Sequence, residues 1–326
     1  MKSMKKILAL LLICALAVTF AACAGEKETT TTPKASEPVS TTTTTAAGVT
    51  TTTVAETTTT TAATTTTTTT APVVTTTGDA SGKLPEGVKA VIDVVLADGK
   101  MTDAAGNMTF DLGNGAKVSK TTVNHAGKNY TVDALNIMGN DQVAMGSLVN
   151  SNTIASAQEF YNRDFSFEAF YINRNNTEAV AAMCATENIS GKRGGVGIAD
   201  AKGNQPYFCI GLGGAYGFCY SNKTTAAGEL VHVIGVYDKT ARQLRIYING
   251  ELCNSVALTG NLVVIQNDKV ANQIGFGADP RLAKTPPLYD FQASDFTLVR
   301  AGMYDSAVTN EQAAAIYEYA VANLSK

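Results

Sequence analysis

The chain is 326 residues long, 45% hydrophobic and 16% charged, with a formal net charge of −3 and no tryptophan. No block of five or more basic residues occurs in it, so it lacks the electrostatic footprint of a nucleic-acid binder. No two of its six cysteines stand at C-x-x-C spacing, which excludes zinc ribbons and thioredoxin-type redox sites.

Lys2, Lys5 and Lys6 precede an apolar run from Ile7 to Phe20, too short to span a bilayer and of signal-peptide length. The run ends in Phe20-Ala21-Ala22-Cys23, which resembles the bacterial lipobox. That resemblance implies a lipoprotein: residues 1–22 are removed as a signal peptide and Cys23 receives a diacylglyceryl group. Its place is then the outer face of a bacterial membrane, where two acyl chains suffice for durable anchoring. The alternative is a secreted protein cut after Ala22 with Cys23 unmodified. From residue 23 to 83 the composition collapses to Thr, Ala, Pro and Val, with unbroken threonine runs at Thr57 to Thr61 and Thr64 to Thr70. Such a stretch has almost nothing to bury and is expected to be a disordered tether. It would span roughly 190 Å fully extended and about 45 Å as a coil. Residues 84–326 show no second break in composition and are long enough for one large core, read as a single all-β domain.

Within that domain, Val88 to Leu96 reads as the first strand, with Asp98-Gly99 as a turn. Strands Lys117 to Val123 and Tyr130 to Leu135 bracket a polar turn, His125 to Asn129, in which His125 is expected to be exposed. Phe165 to Ile172 is the next strand, followed by Gly195 to Ala199 and Pro206 to Leu212, with Gly217 to Ser221 returning. The firmest stretch is Glu229 to Leu258. Leu230 to Tyr237 is rich in β-branched residues, and Leu244, Ile246 and Ile248 alternate with Arg245, Tyr247 and Asn249, which predicts one wet face. Asn249-Gly250 supplies the positive-φ pair of a type I′ turn, so the segment predicts three strands in two hairpins. Gln273 to Gly277 and Phe296 to Tyr304 are the last strands. Thr309-x-x-Gln312 is a capping box, and Ala313, Ile316, Ala320 and Leu324 fall on one face of a closing helix.

The stretch HVIGVYDKTARQLRIYINGEL resembles the central signature of laminin-G-like, or concanavalin-A-like, jelly-roll domains. His232, Val233, Tyr237, Asp238, Leu244, Tyr247, Asn249 and Gly250 carry it, while Leu230 stands where that family has tryptophan. Asp103-Ala104-Ala105-Gly106-Asn107 is similar to the family's opening turn, Phe165 to Ile172 to its Phe-Thr-x-Glu-x-Trp strand, and Asp305 to Thr309 to the segment before its last helix. The resemblance implies a two-sheet antiparallel jelly-roll sandwich with a C-terminal helix. Glucanases of this superfamily carry Glu-x-Asp-x-x-Glu on one strand, which sets two carboxylates for retaining hydrolysis. No such run exists in the chain, so it is read as a non-enzyme. Some relatives hold calcium through an acidic pair in the closing strand, where this chain has Val299 and Arg300. Asp103, Asn107 and Asp141 remain as loop oxygens for a calcium site, which needs six or more oxygens; no other cofactor is expected.

The only other histidine, His232, is expected to be a buried strand residue bonded to a neighbouring backbone group. Gly211 to Gly214 lack a following helix and read as turn glycines. Cys209 and Cys219 sit symmetrically about Gly214, so a hairpin turning there would set them opposite each other as a disulfide; buried thiols are the equal alternative. For ligand recognition, Arg245, Tyr247 and Asn249 share one strand face, which Tyr216 and Tyr220 could extend; the alternative, the better one for Tyr247, is that Tyr247 packs within the fold and Arg245 is an ordinary solvated charge. Tyr and Arg suit sugars or peptides through stacking and hydrogen bonding. The expectation is a surface-anchored, non-catalytic module that binds extracellular polysaccharide or another extracellular ligand. A structural or adhesive protein-contact domain is the second reading, and a glycan-acting enzyme the third.

Overall fold

A computed structural model of the chain describes residues 83–113, 115–138, 143–148, 157–175, 179–189, 192–263, 273–281, 288–290 and 295–326. The expected signal segment, Cys23, the expected tether up to residue 82 and Asp141 lie outside the described residues.

The first strands are β1 (Ala90–Ala97), β2 (Lys100–Asp103), β3 (Met108–Gly113), β4 (Lys117–His125), β5 (Lys128–Ile137) and β6 (Val143–Leu148). A short helix α1 (Ala157–Tyr161) precedes β7 (Phe165–Asn173), β8 (Val180–Ile189), β9 (Lys192–Ala201), β10 (Gln205–Gly211) and β11 (Tyr216–Tyr220). Next come β12 (Leu230–Asp238), β13 (Gln243–Ile248) and β14 (Glu251–Ala257). The chain closes with β15 (Gln273–Phe276), β16 (Asp279–Arg281), β17 (Leu288–Asp290), β18 (Phe296–Tyr304) and helix α2 (Asn310–Asn323). The tight turns form where the sequence offers positive φ: Asp98-Gly99, Ala126-Gly127 and Asn249-Gly250 all adopt it at both residues. The β4–β5 turn is therefore tighter than predicted, with His125 paired to Lys128 inside the ladder.

Two antiparallel sheets stack face to face. The first runs β14-β13-β12-β7-β18-β1-β2, with β5 sharing β18's far edge and β4 beyond it. The second runs β11-β10-β9-β8-β15-β6-β3. This is the predicted jelly-roll sandwich. The core lies between the sheets, where Phe165, Phe167, Ala169 and Tyr171 of β7 and Val231 and Val233 of β12 meet Val196, Ile198, Phe208, Ile210 and Phe276. Gly235 permits the closest approach, since a Cβ there would stand 2.1 Å from the Phe208 ring.

Strand β8 is absent from the sequence reading because Val180 to Cys184 is buried on both faces, so no alternation marks it. Strand β6 was also not anticipated. Helix α2 opens with the predicted reciprocal capping box between Thr309 and Gln312, and buries Ala313, Ile316 and Ala320. Its apolar stripe lies on the outer face of the first sheet. One half covers Phe170, Ile172 and Leu230, the other Ile234, Val236, Tyr247 and Tyr304. As a result β7 and β12 are buried on both sides along nearly their whole length.

Candidate functional site

The face predicted to be wet is the one that α2 covers. Tyr247 is fully buried among Ile234, Val236, Tyr304 and Ile316, and its hydroxyl donates to Asn310 Oδ1 at 2.9 Å. Arg245 pairs with Asp238 at 3.1 Å and donates to the Tyr247 hydroxyl at 3.2 Å. Asn249 is a turn residue with φ 50°, whose Oδ1 accepts the His232 amide at 3.0 Å and whose own amide donates to the His232 carbonyl. Arg245 and Tyr247 therefore hold helix to sheet, and they do not share a surface with Tyr216 and Tyr220, which lie on the other sheet.

Beneath the same helix sits a buried charged cluster. Glu168 is sealed from solvent and accepts Arg300 Nε on both oxygens, at 3.0 and 3.1 Å, together with His232 Nε2 at 2.9 Å and the Tyr304 hydroxyl. Arg300 also pairs with Asp93 at 2.9 Å, and its guanidinium lies 4.8 Å over the Tyr319 ring. Burial alone would raise the Glu168 pKa, but Arg300, His232 and Tyr304 overcome it and hold the carboxyl well below the usual range. Arg300, at the place of a family calcium ligand, is thus the counter-ion of an internal carboxylate. His232 is buried as expected, but its ring is bonded to this side chain, not to backbone. The exposed setting predicted for His125 is also corrected: it is buried, with Nδ1 3.3 Å from the Leu230 carbonyl and Nε2 2.8 Å from the Tyr317 hydroxyl. Burial pushes its imidazole below the ordinary value.

Of the predicted calcium ligands, Asp103 is committed to backbone. One oxygen accepts the amides of Asp93 and Ala105, the other those of Asn107 and Met108, at 2.6 to 3.0 Å. The Asn107 side chain donates to the Val91 carbonyl at 2.8 Å. These residues fold the turn, and Asp141 lies outside the described residues. Among the described residues no group of three or more His, Cys, Asp or Glu side chains is arranged to hold a metal ion.

The disulfide expectation fails on register. Across the β10–β11 hairpin Cys209 faces Phe218 and Cys219 faces Phe208, one step out of alignment, so the two thiols lie on opposite faces and are not joined. Cys219 points into the core, where burial pushes its thiol up to about 12 and makes it inert. Cys209 lies on the outer face with Ala181, Cys184, Ala199 and Tyr207.

That outer face carries what the sequence reading half found. Tyr216, Phe218 and Tyr220 alternate along the edge strand β11 and form a continuous row: Tyr216 and Phe218 are 5.9 Å apart between ring centres, and Phe218 and Tyr220 stack at 5.4 Å. Tyr207 of β10 backs the row, 5.6 Å from Phe218 and 5.2 Å from Tyr220, and the Arg193 guanidinium lies 5.3 Å over Tyr216. Phe218 and Tyr220 are 37% and 40% exposed, unusual for rings of that size. Phe218, which the sequence reading passed over, is signalled by the period-two spacing in Tyr216-Gly-Phe218-Cys-Tyr220. The edge is braced against the other sheet: Asn254 of β14 donates to the Tyr220 carbonyl at 2.8 Å, and Asn222, just past β11, donates to the Cys253 carbonyl at 2.6 Å. The row thus stands on a fixed strand.

No curated protein matches the chain. Among solved structures, the botulinum neurotoxin serotype D binding domain is similar with a TM-score of 0.50 at 13% identity, over 70% of this chain and 51% of that one. The botulinum neurotoxin DC binding domain in complex with rat synaptotagmin II has a TM-score of 0.49 at 12% identity, over 70% and 51%. The type G receptor-binding domain has 0.47 at 12%, over the same shares. The chain spans about half the length of these structures, and at such identities the likeness is one of fold. In sequence, the resemblance carried by the central hairpins holds: residues 146–294 match the family described as the concanavalin A-like lectin/glucanases superfamily.

Proposed function

We propose that the chain is a non-catalytic binding module, tethered to the outer face of a bacterial membrane through lipid on Cys23, that engages extracellular polysaccharide through the aromatic row of β11. The observation that carries this reading is the exposed, braced row Tyr216, Phe218 and Tyr220 with Arg193 at one end. Flat apolar rings stack on the C–H faces of sugars, while the tyrosine hydroxyls and the guanidinium supply hydrogen bonds. A long tether raises the local concentration of such a site at its target, which makes weak affinity useful. The test is a glycan array with the full chain beside its Tyr220→Ala and Phe218→Ser variants. A drop in signal in both, with unchanged melting temperature, is expected; equal binding by all three removes the row as the site, and turnover of any polysaccharide removes the non-catalytic reading.

A protein partner is the second reading, favoured by Phe218, whose ring has no hydrogen-bonding group, and by Leu252, 45% exposed on the edge strand of the other sheet. Recovery of a protein ligand whose binding is lost in Phe218→Ser, with no glycan signal, would establish it.

A further inference from the structure

A trough runs along the outer side of the first sheet where α2 meets three loops. Two adjoining hollows, of ≈ 530 and ≈ 400 Å³, share Glu229, Asn249 and Tyr317. The β4–β5 turn with His125 closes one end, and Lys223 and Glu251, paired at 2.8 Å, close the other. Gly250 builds the junction: a Cβ there would come within 3.1 Å of Ala314 Cα and 3.2 Å of Tyr317 Cβ, so only glycine lets the helix lie on the turn and set Tyr317 beside Asn249.

Each of the three shared residues is tied down on one side by the framework. The Leu230 carbonyl can only accept, so His125 Nδ1, 3.3 Å away, carries the imidazole proton and Nε2 is an acceptor. The Tyr317 hydroxyl therefore donates to Nε2 at 2.8 Å, which leaves its oxygen lone pairs for the trough. Asn249 Oδ1 is taken by the His232 amide, so what it offers is the Nδ2 donor pair. Glu229 Oε2 accepts the Ala226 amide at 3.0 Å, which fixes the carboxylate and leaves Oε1 as an acceptor.

Two acceptors and one donor, all pre-positioned, line the same hollows. A carboxylate has no proton for Tyr317 or Glu229, and any anion would meet the charge of Glu229, while Lys223 is already paired with Glu251. An ammonium group has no lone pair for Asn249. A hydroxyl can both give and accept. We propose that this trough is a second ligand site, on the sheet opposite the β11 row and independent of it, for an uncharged hydroxyl-rich ligand of the saccharide or polyol class. Two such sites on opposite sheets would let one module hold two chains, or one chain twice.

The test titrates the full chain with glucose, galactose, mannose, N-acetylglucosamine and cellobiose, followed by calorimetry and ligand-observed saturation transfer, alongside methylammonium and acetate. Saturable binding of at least one sugar is expected. Glu229→Gln, which keeps an acceptor for Ala226 but replaces the free one by a donor, should weaken it at least about tenfold with the melting temperature unchanged. Tyr317→Phe should weaken it less, and the same titrations repeated in Phe218→Ser, which lacks the row, should still show the Glu229-dependent binding. The inference is overturned by no saturable sugar binding, by equal binding in Glu229→Gln, or by preference for methylammonium or acetate. Sugar binding lost in Phe218→Ser but kept in Glu229→Gln would place the ligand on the β11 row and sink the trough while sparing the row.

Discussion

Glu168 sits where a strand of an open sheet would show a polar side chain to water, yet it is fully buried, and everything near it is arranged to keep it ionised. Removing one member of such a cluster is costlier than never having had it, because the partner is left charged and dry. Glu168→Gln is therefore expected to lower stability by about 3–5 kcal/mol in urea unfolding. The double replacement Glu168→Leu with Arg300→Met should lose much less, and equal losses would show that the pairing is not what matters. Gly235 works by a different physical cause. Its Cα–H faces the Phe208 ring, so Gly235→Ala should cost about 1–3 kcal/mol by overpacking, with the strand itself unaffected.

Helix α2 decides which strand faces are wet. Hairpin positions, turn types, the closing strand and the capping box were legible because local patterns set them: alternation within six residues, a positive-φ pair, a four-residue cap. What α2 would cover was not, since the contact joins Tyr247 to Asn310 across 63 positions and no short-range pattern encodes it. For the same reason the sequence leaves Arg245-x-Tyr247 open between a ligand face and the packing role that Tyr247 has, and carries no local sign of the buried pairings of His125 with Tyr317 and of Arg300 with Glu168. Cys209 and Cys219 show the other failure: symmetry about a glycine locates a hairpin to within a residue, and a one-residue slip reverses every side chain. The aromatic row is half legible: Tyr216 and Tyr220 stand out as ligand-type side chains, while Phe218 between them is marked only by its period-two spacing. Two tests follow at this scale. Tyr247→Ala should cost about 3–5 kcal/mol by opening a cavity under α2 and leave the glycan binding proposed for β11 unchanged, the reverse of what a ligand residue would do. Thr309→Ala should cost about 1 kcal/mol through the lost cap, read as a lowered melting midpoint, with a larger loss pointing to unfolding of more than the first turn.

For the molecule as a whole, two buried groups set opposing pH dependences, and their signs follow from where each pKa moves. The imidazole of His125 lies below its ordinary 6.5 because burial penalises its charged form, although the Leu230 hydrogen bond and Glu229 oppose the shift. The unfolded chain then binds the proton more readily, so this contribution to stability is present above 6.5 and is lost as pH falls through the depressed folded value. Asp200 is displaced the other way: burial raises it from 3.8 to about 6, against the hydrogen bonds it accepts from Tyr171 at 2.6 Å and Asn173 at 3.0 Å. Its contribution is fully present below 3.8 and is lost as pH rises through about 6. Between these limits the two partly cancel, and the wild-type melting midpoint should change little from about pH 7 to about pH 5. Separating them needs one variant each. In Asp200→Asn the contribution of His125 is no longer opposed by Asp200, so the midpoint should fall as pH drops below 6.5. In His125→Gln, which keeps a polar partner for Tyr317, the midpoint should rise as pH drops through about 6 while Asp200 takes up its proton. Thermal melts of both proteins across that range decide the matter, since profiles parallel to the wild type would mean that neither group is linked to folding and that the balance lies in other residues.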